Sequence, residues 1–115
     1  MSKMIYGIEK PEPGDDAVII ALWSIKEIIY GDNKEPTHHL IGFMPQDSTG
    51  RVSSAIQFFD SERRVIQTNS GRLYKLYGLP GSHPNADHVW ELWKSFNKAR
   101  DERDVTLDYY WECGA

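Results

Sequence analysis

Cysteine is almost missing from this chain of 115 residues, which contains only Cys113. A single cysteine cannot form an internal disulfide, so the fold has to depend on a packed core. No apolar run approaches the roughly 20 residues that a membrane-spanning helix needs. The N-terminal stretch also lacks the apolar segment of a secretory signal peptide. We therefore expect a cytoplasmic protein that does not engage a membrane.

An excess of positive charge is missing as well. The chain has 13 Lys and Arg against 17 Asp and Glu, which gives a net charge of −4. Binding to nucleic acid or to an anionic membrane depends on a basic field, so this balance argues against nucleic acid as a partner. Hydrophobic residues at 40% and charged residues at 26% are typical of a globular chain, and the length fits one domain.

The N-terminal part of the chain differs in composition from the rest. Two prolines and a glycine lie between residues 11 and 14 and interrupt any regular structure there. We expect residues 1–16 to form a partly flexible leader with at most a short edge strand. Residues 17–112 are then a single domain, and residues 113–115 are a tail.

The segment from Ala17 to Tyr30 fits neither a helical nor a strand period cleanly. Its many Ile and Val residues favour a strand, with a helix as the alternative. As a strand it would place its odd-numbered side chains on a common face: Ile19, Ala21, Trp23 and Ile25.

Four further segments show the composition and alternation of short strands: His39–Met44, Arg51–Phe59, Arg64–Thr68 and Leu73–Tyr77. The turns between them are short, and the sequence Asn69-Ser70-Gly71 is typical of a turn that needs positive φ. Connections this short predict antiparallel neighbours. The expected fold is therefore α+β, with an antiparallel β-meander of about five to six strands packed against one main C-terminal helix.

That helix is predicted over about residues 86–100, with Asn85 as N-cap and Asp87 in the first turn. Its apolar side chains recur at the i, i+3, i+4 and i+7 positions of one stripe: Val89, Leu92, Trp93 and Phe96. We expect this stripe to cover the sheet, with Trp93 and Phe96 buried most deeply.

The end of the chain alternates between apolar and polar residues. The apolar positions are spaced by two: Val105, Leu107, Tyr109 and Trp111. This period is typical of a half-buried strand, so we predict a final strand over about residues 104–111.

Arginine and aromatic side chains collect around the strand ends of the predicted meander. Exposed Tyr and Arg side chains often anchor a protein partner. The leading hypothesis is therefore a small non-enzymatic protein-interaction domain, an accessory or inhibitory factor for a protein partner. Its candidate surface comprises Arg51, Arg64, Arg72, Tyr74, Tyr77 and Tyr110. The same residue types can stack on bases, so weak binding of single-stranded nucleic acid is a further alternative, and charged protection of sheet edges is the simplest interpretation.

The start of the predicted helix offers the main alternative site. His83, Asp87 and His88 lie close together in the sequence, and Arg72 ends the preceding turn. Imidazole and carboxylate groups can bind a divalent metal, or they can line a pocket for a small ligand or a reaction. No convincing further metal ligand accompanies them, so we expect no metal and no cofactor at this position.

Catalytic motifs are not recognisable elsewhere. The serines lack the glycine pattern that exposes a nucleophile at a strand-turn-helix junction. Gly78-Leu79-Pro80-Gly81 lacks the lysine and the spacing of a phosphate-binding loop. His38 and His39 are adjacent, so in a strand their side chains point to opposite faces and cannot share a metal. We therefore predict that the protein is not an enzyme and has no catalytic residues.

Three sequence stretches carry a resemblance to known proteins: GRVSSAIQFFD, TNSGRLYKLYGLPG and NADHVWELW. Together they resemble a family of small uncharacterised bacterial and prophage-type proteins, over about Leu40 to Trp93. The family has Asp-Ala where this chain has Ala86-Asp87. The resemblance implies a small accessory protein rather than a metabolic enzyme. It implies no catalytic or binding residues, because the family has none assigned.

Overall fold

Seven β-strands and two α-helices account for most of the residues that the computed structural model describes, which are 2–4, 17–30 and 35–114. The predicted α+β class is confirmed, whereas most of the predicted leader, residues 5–16, lies outside the described residues. The elements in chain order are β1 (Ser2–Met4), β2 (Val18–Tyr30), β3 (Thr37–Met44), β4 (Thr49–Asp60), β5 (Val65–Thr68), β6 (Leu73–Tyr77), α1 (Pro84–Asn97), β7 (Ala99–Asp104) and α2 (Thr106–Glu112).

The strands from β2 to β6 form the predicted antiparallel meander, in which each strand pairs with the next. β6 then pairs in parallel with β2, from Val18 opposite Tyr74 to Ala21 opposite Tyr77. The five strands therefore close into a ring, and β1 and β7 add to it along β4 and β2. The meander is confirmed, and the parallel closing pair is a long-range feature that local alternation does not indicate.

β2 is a strand, which decides between the two alternatives for this segment. Leu22 has a φ of 49°, and the pairing with β3 shifts between Ala21 and Ser24, as in a β-bulge. The bulge changes which residues face inward, because one extra residue reverses the alternation. Ile20 is therefore fully buried and Ile19 is partly exposed, so the predicted common face of odd-numbered residues is wrong before the bulge.

The main core lies on the inner side of the ring. Its buried side chains come from all five strands, from α2 and from the residue that precedes α2: Ile20, Trp23, Ile25, Leu40, Met44, Ile56, Phe59, Ile66, Tyr74, Leu76, Val105 and Tyr109. Each large side chain of this kind contributes roughly 1.5–3 kcal/mol on burial. Neither of the helices within the described residues is long and apolar enough to cross a membrane.

The predicted final strand over residues 104–111 is wrong. The chain instead forms β7, which pairs antiparallel with β2, and then the short helix α2. Val105 and Tyr109 are buried and lie four residues apart, whereas Leu107 and Trp111 are exposed, which is helical spacing. The turn between the two elements is fixed by Asp104, because its Oδ1 accepts a hydrogen bond from the Thr106 backbone N–H at 2.9 Å.

α1 starts two residues before the predicted start and ends three residues before the predicted end. Its N-cap is His83 rather than Asn85, because the imidazole Nδ1 accepts a hydrogen bond from the Asn85 backbone N–H at 3.1 Å. Pro84 occupies the first turn, where a missing N–H costs nothing. The helix ends at Asn97, and its C-cap Lys98 adopts the left-handed conformation with a φ of 56°.

The face that α1 turns towards the sheet also differs from the prediction. Ala86 and Trp90 are the buried residues of the helix and pack with Ile28 and Ile41 in a second cluster. Leu92 is 57% exposed and Phe96 is 88% exposed, so the prediction that they cover the sheet is wrong. Val89 and Trp93 are half-buried.

Gly50 of β4 explains this rotation of the helix. A Cβ at this position would lie 2.4 Å from the carbonyl oxygen of Asn85 and 2.5 Å from the Cα of Ala86. The helix N-terminus therefore approaches the strand more closely than any other residue would allow. This contact points Ala86 and Trp90 at the sheet and leaves the other side of the apolar stripe in solvent.

Candidate interaction surface on helix α1

The exposed side of the apolar stripe forms a shallow groove of about 540 Å³. We call this surface the α1 face, and its lining residues are Val89, Leu92, Trp93, Ser95, Phe96 and Asn97. None of these side chains is charged, although charged residues make up 26% of the chain. Large apolar side chains that share one exposed patch are typical of a binding surface, whereas isolated ones are ordinary.

The opposite side of α1 is held to the rest of the fold by Trp90 and Lys94. The Trp90 indole N–H donates a hydrogen bond to Glu102 of β7 at 3.1 Å, and Lys94 Nζ lies 2.8 Å from the other oxygen of the same carboxylate. Lys94 also lies over the Trp90 ring, 5.5 Å from its centroid. Because these contacts fix the helix on its far side, the α1 face is presented in a defined orientation.

Trp93 connects the α1 face to the sheet. Its ring stacks on that of Trp90 with a centroid distance of 5.4 Å, and it contacts the ring of His39 at 4.7 Å. His39 is 1% exposed. Its Nδ1 donates a hydrogen bond to the Ser53 carbonyl at 2.9 Å, and its Nε2 lies 2.7 Å from the hydroxyl of Thr37. Burial lowers the pKa of His39 below the ordinary value of 6.5.

The six residues of the predicted arginine and tyrosine surface do not all lie on the surface. Tyr74 is 2% exposed, and its hydroxyl accepts a hydrogen bond from Arg51 Nε at 3.3 Å. It faces the core because β6 alternates, with Tyr74 and Leu76 inward and Lys75 and Tyr77 outward. As an exposed anchor, Tyr74 was therefore predicted wrongly.

The remaining predicted residues fall into different surroundings. Arg64 lies 5.9 Å above the Trp23 ring and donates a hydrogen bond to the Gly78 carbonyl at 2.8 Å. Tyr110 is half-buried and also contacts Trp23, with a centroid distance of 6.4 Å. Tyr77 precedes Gly78 and is 66% exposed. Arg72 lies in a separate polar depression lined by Ser70, Gly71, Arg72 and Leu73.

At the alternative site, the His83 side chain makes contacts within the helix start and with β3. The His83 ring caps α1 and stacks on Phe43 with a centroid distance of 4.1 Å. Asp87 and His88 are exposed on the helix. Within the part of the chain that the structure describes, no group of three or more His, Cys, Asp or Glu residues is arranged to hold a metal ion.

Sequence reasoning missed a chain of polar contacts that joins α2 to the sheet. The Tyr109 hydroxyl lies 2.6 Å from His38 Nδ1, and His38 Nε2 lies 3.0 Å from Glu27 Oε2. Arg103 donates to both oxygens of that carboxylate at 3.2 Å. The hydrogen bond from His38 and then that from Arg103 lower the pKa of Glu27.

The chemistry of this polar chain is consistent with a neutral His38. A neutral imidazole can donate through Nε2–H to Glu27 while its Nδ1 accepts from Tyr109. Such an array could relay a proton, but Tyr109 is 2% exposed and packs against Phe59 in the core. The array therefore serves to fix α2 on the ring. Local sequence gives no signal for it, because His38 and Tyr109 are 71 residues apart.

Comparison of this chain with protein-family models, with curated proteins and with solved structures finds no match.

Proposed function

We propose that this protein is a non-enzymatic interaction domain, an accessory or inhibitory factor that binds a protein partner through the α1 face. The observation that carries the proposal is the exposure of Leu92 and Phe96 on a helix that is otherwise fixed to the sheet. The surface differs from the arginine and tyrosine surface expected from the sequence. The class of function that it supports is the same.

The energetics favour a partner over permanent exposure. Burial of a Leu or Phe side chain contributes roughly 1.5–3 kcal/mol, and a few such anchors supply most of the affinity of many interfaces. An apolar helix face one turn long or more is also a common recognition element, read through anchors at i, i+3 and i+7 spacing. Val89, Leu92 and Phe96 have this spacing.

The composition supports a cytoplasmic setting for this interaction. The single cysteine fits a reducing compartment, and the net charge of −4 favours a protein partner over nucleic acid or an anionic membrane. Because the residues that line the groove are uncharged, we expect the partner to contribute an apolar surface to the interface.

The test is a quantitative affinity purification with three versions of the tagged protein. One is the natural sequence, one carries Leu92→Ser and Phe96→Ser, and one carries Leu107→Ser. Leu107 on α2 is a matched control because it is 57% exposed, the same fraction as Leu92. Thermal unfolding of all three versions checks that each remains folded.

We expect a defined protein to be recovered by the natural sequence and by Leu107→Ser, and lost with the double variant. Purified components should then reproduce the difference in a binding titration. Equal recovery by all three versions, or no specific recovery by any of them, would refute the α1 face as the binding surface.

A further inference from the structure

We propose that His39 makes the docking of α1 sensitive to pH, so that protonation of its imidazole releases Trp93 and loosens the helix that carries the α1 face. The regulatory meaning of this device rests on the proposed function, since it acts on the same surface. The device itself is a property of the free protein.

The first step of the argument is the geometry of the imidazole. His39 lies on β3 with 1% of its surface exposed, and it contacts Ser53 of β4 and Trp93 of α1. Its Nδ1 has to carry the proton of the neutral ring, because its partner is the Ser53 carbonyl, which only accepts. Nε2 is then free to accept from the Thr37 hydroxyl at 2.7 Å. Both nitrogens are thus satisfied in the neutral state, and a second proton would place a charge inside the fold.

The second step concerns the charges on the elements around His39. Within the described residues, Lys26 of β2 lies directly opposite His39, and His38 is its neighbour on β3. Lys26 Nζ is bound to Asp104 at 3.0 Å and lies 3.9 Å from Glu102, both on β7. Lys26 is therefore paired with both β7 carboxylates, and burial together with the electrostatic effect of His38 lowers the pKa of His39.

The third step covers α1 and β4, the other elements that pack on His39. On α1, Lys94 follows Trp93 and is bound to Glu91 at 2.9 Å and to Glu102 at 2.8 Å. On β4, the neighbours are the backbone of Ser53 and the methyl group of Ala55, which lies opposite His39 in the sheet. The lysine charges on both sides are thus balanced by acids.

Two effects act in the opposite direction. The hydrogen bond from Nδ1 to the Ser53 carbonyl raises the pKa of His39, and a cation near the Trp93 ring gains from cation–π attraction. Removal of the imidazolium from water costs more than these two effects return, because burial is the largest influence on this pKa. The charged ring therefore favours a state in which water reaches it.

Release of Trp93 would open one side of His39 to water, because the two rings are in contact with a centroid distance of 4.7 Å. Trp93 is half-buried and belongs to the half of α1 that lies beyond the close contact between Ala86 and Gly50. The C-terminal half of the helix can therefore move away if the contact between Lys94 and Glu102 breaks, while the ring of strands keeps its own core. In acid, the population of this open state rises by up to about tenfold per pH unit below 6.5, the ordinary pKa of histidine, until the pH reaches the lowered pKa of His39 in the closed state.

The experiment is amide hydrogen exchange on the free protein between about pH 7 and about pH 5, corrected for the intrinsic pH dependence of exchange. Residues 90–97 of α1 should lose protection as the pH falls below 6.5, by up to about tenfold per pH unit, while amides of β2 and β6 keep theirs. The variant His39→Gln should abolish this pH dependence. The variant His88→Gln, which alters an exposed histidine of the same helix, should retain it.

Two results would overturn the proposal: parallel loss of protection in α1 and the sheet, or an unchanged pH dependence in His39→Gln. If that variant fails to fold, the titration of the His39 ring in the natural protein decides by NMR. A ring that titrates at or above 6.5 contradicts the device. Because no partner is present, failure here is separate from failure of the α1 face to bind one.

Discussion

The hydroxyl of Tyr109 in α2 lies 2.6 Å from Nδ1 of His38 in β3, although the two residues are 71 positions apart. This contact holds the last helix against the ring of strands, and Glu27 and Arg103 continue it on the other side of the imidazole. The C-terminal helix is therefore attached by a polar chain as well as by its buried side chains. The contribution of this polar chain to the free energy of unfolding can be measured with conservative substitutions of its residues.

Removal of the Tyr109 hydroxyl is the most conservative test. Tyr109→Phe keeps the ring in the core and leaves His38 Nδ1 without its hydrogen-bond partner in α2, which should lower the free energy of unfolding by about 1–2 kcal/mol. Urea denaturation measures the change. Tyr77→Phe is the matched control, because Tyr77 is 66% exposed and its loss of a hydroxyl should cost less than about 0.5 kcal/mol. Equal losses in both variants would contradict a structural role for the polar chain.

Glu27 gives this polar chain a dependence on acid. Hydrogen bonds from His38 and Arg103 lower its pKa in the folded state below the ordinary value of 4.5. An acid with a lowered folded pKa stabilises the fold fully above its unfolded value, and this stability is lost as the pH falls through the folded value. We expect the unfolding free energy to decrease below pH 4.5 less steeply in Glu27→Gln than in the natural protein. Parallel pH profiles from urea titrations would show that Glu27 contributes nothing.

The parts of the fold that could be predicted are those that depend on neighbours in the sequence. Alternating side chains and short turns are sufficient to indicate β3 to β6 and their antiparallel order. The helical stripe likewise indicates α1. In each case the period of the side chains and the length of the connection restrict the structure locally.

The parts that could not be predicted depend on contacts between distant residues. The rotation of α1 follows from the missing side chain of Gly50, which lies 36 positions before Ala86. The apolar residues from Val105 to Trp111 are spaced by two, and this spacing also fits a helix that buries every fourth residue. The hydrogen bonds of Asp104 and Thr106 favour the helix over the strand. The exposure of the α1 face was missed for the same reason, since the stripe alone does not show which of its sides faces the sheet.

The rotation of α1 makes opposite predictions for two large aromatic residues of the same helix. Trp90→Ala should lower the unfolding free energy by roughly 3–5 kcal/mol, because Trp90 is 4% exposed and its indole N–H binds Glu102. Phe96→Ala should change it by less than about 0.5 kcal/mol, because Phe96 is 88% exposed. Chemical denaturation of both variants measures the difference. A large loss for Phe96→Ala would restore the orientation expected from the stripe.

Gly50 offers the most direct test of what sets this orientation. In Gly50→Ala the added methyl would lie 2.5 Å from the Cα of Ala86, and backbone atoms cannot yield as a flexible side chain does. The helix N-terminus must therefore move outward, and overpacking of this kind costs about 1–3 kcal/mol. Thr49→Ala is the control, because Thr49 is exposed on the same strand and should cost far less. Since Trp90 and Trp93 move with the helix, the tryptophan emission of the protein should also shift to longer wavelength in Gly50→Ala but not in Thr49→Ala. Unchanged stability and emission would mean that the side chains of Trp90 and Trp93, and not the close backbone contact, determine which face of α1 is left for a partner.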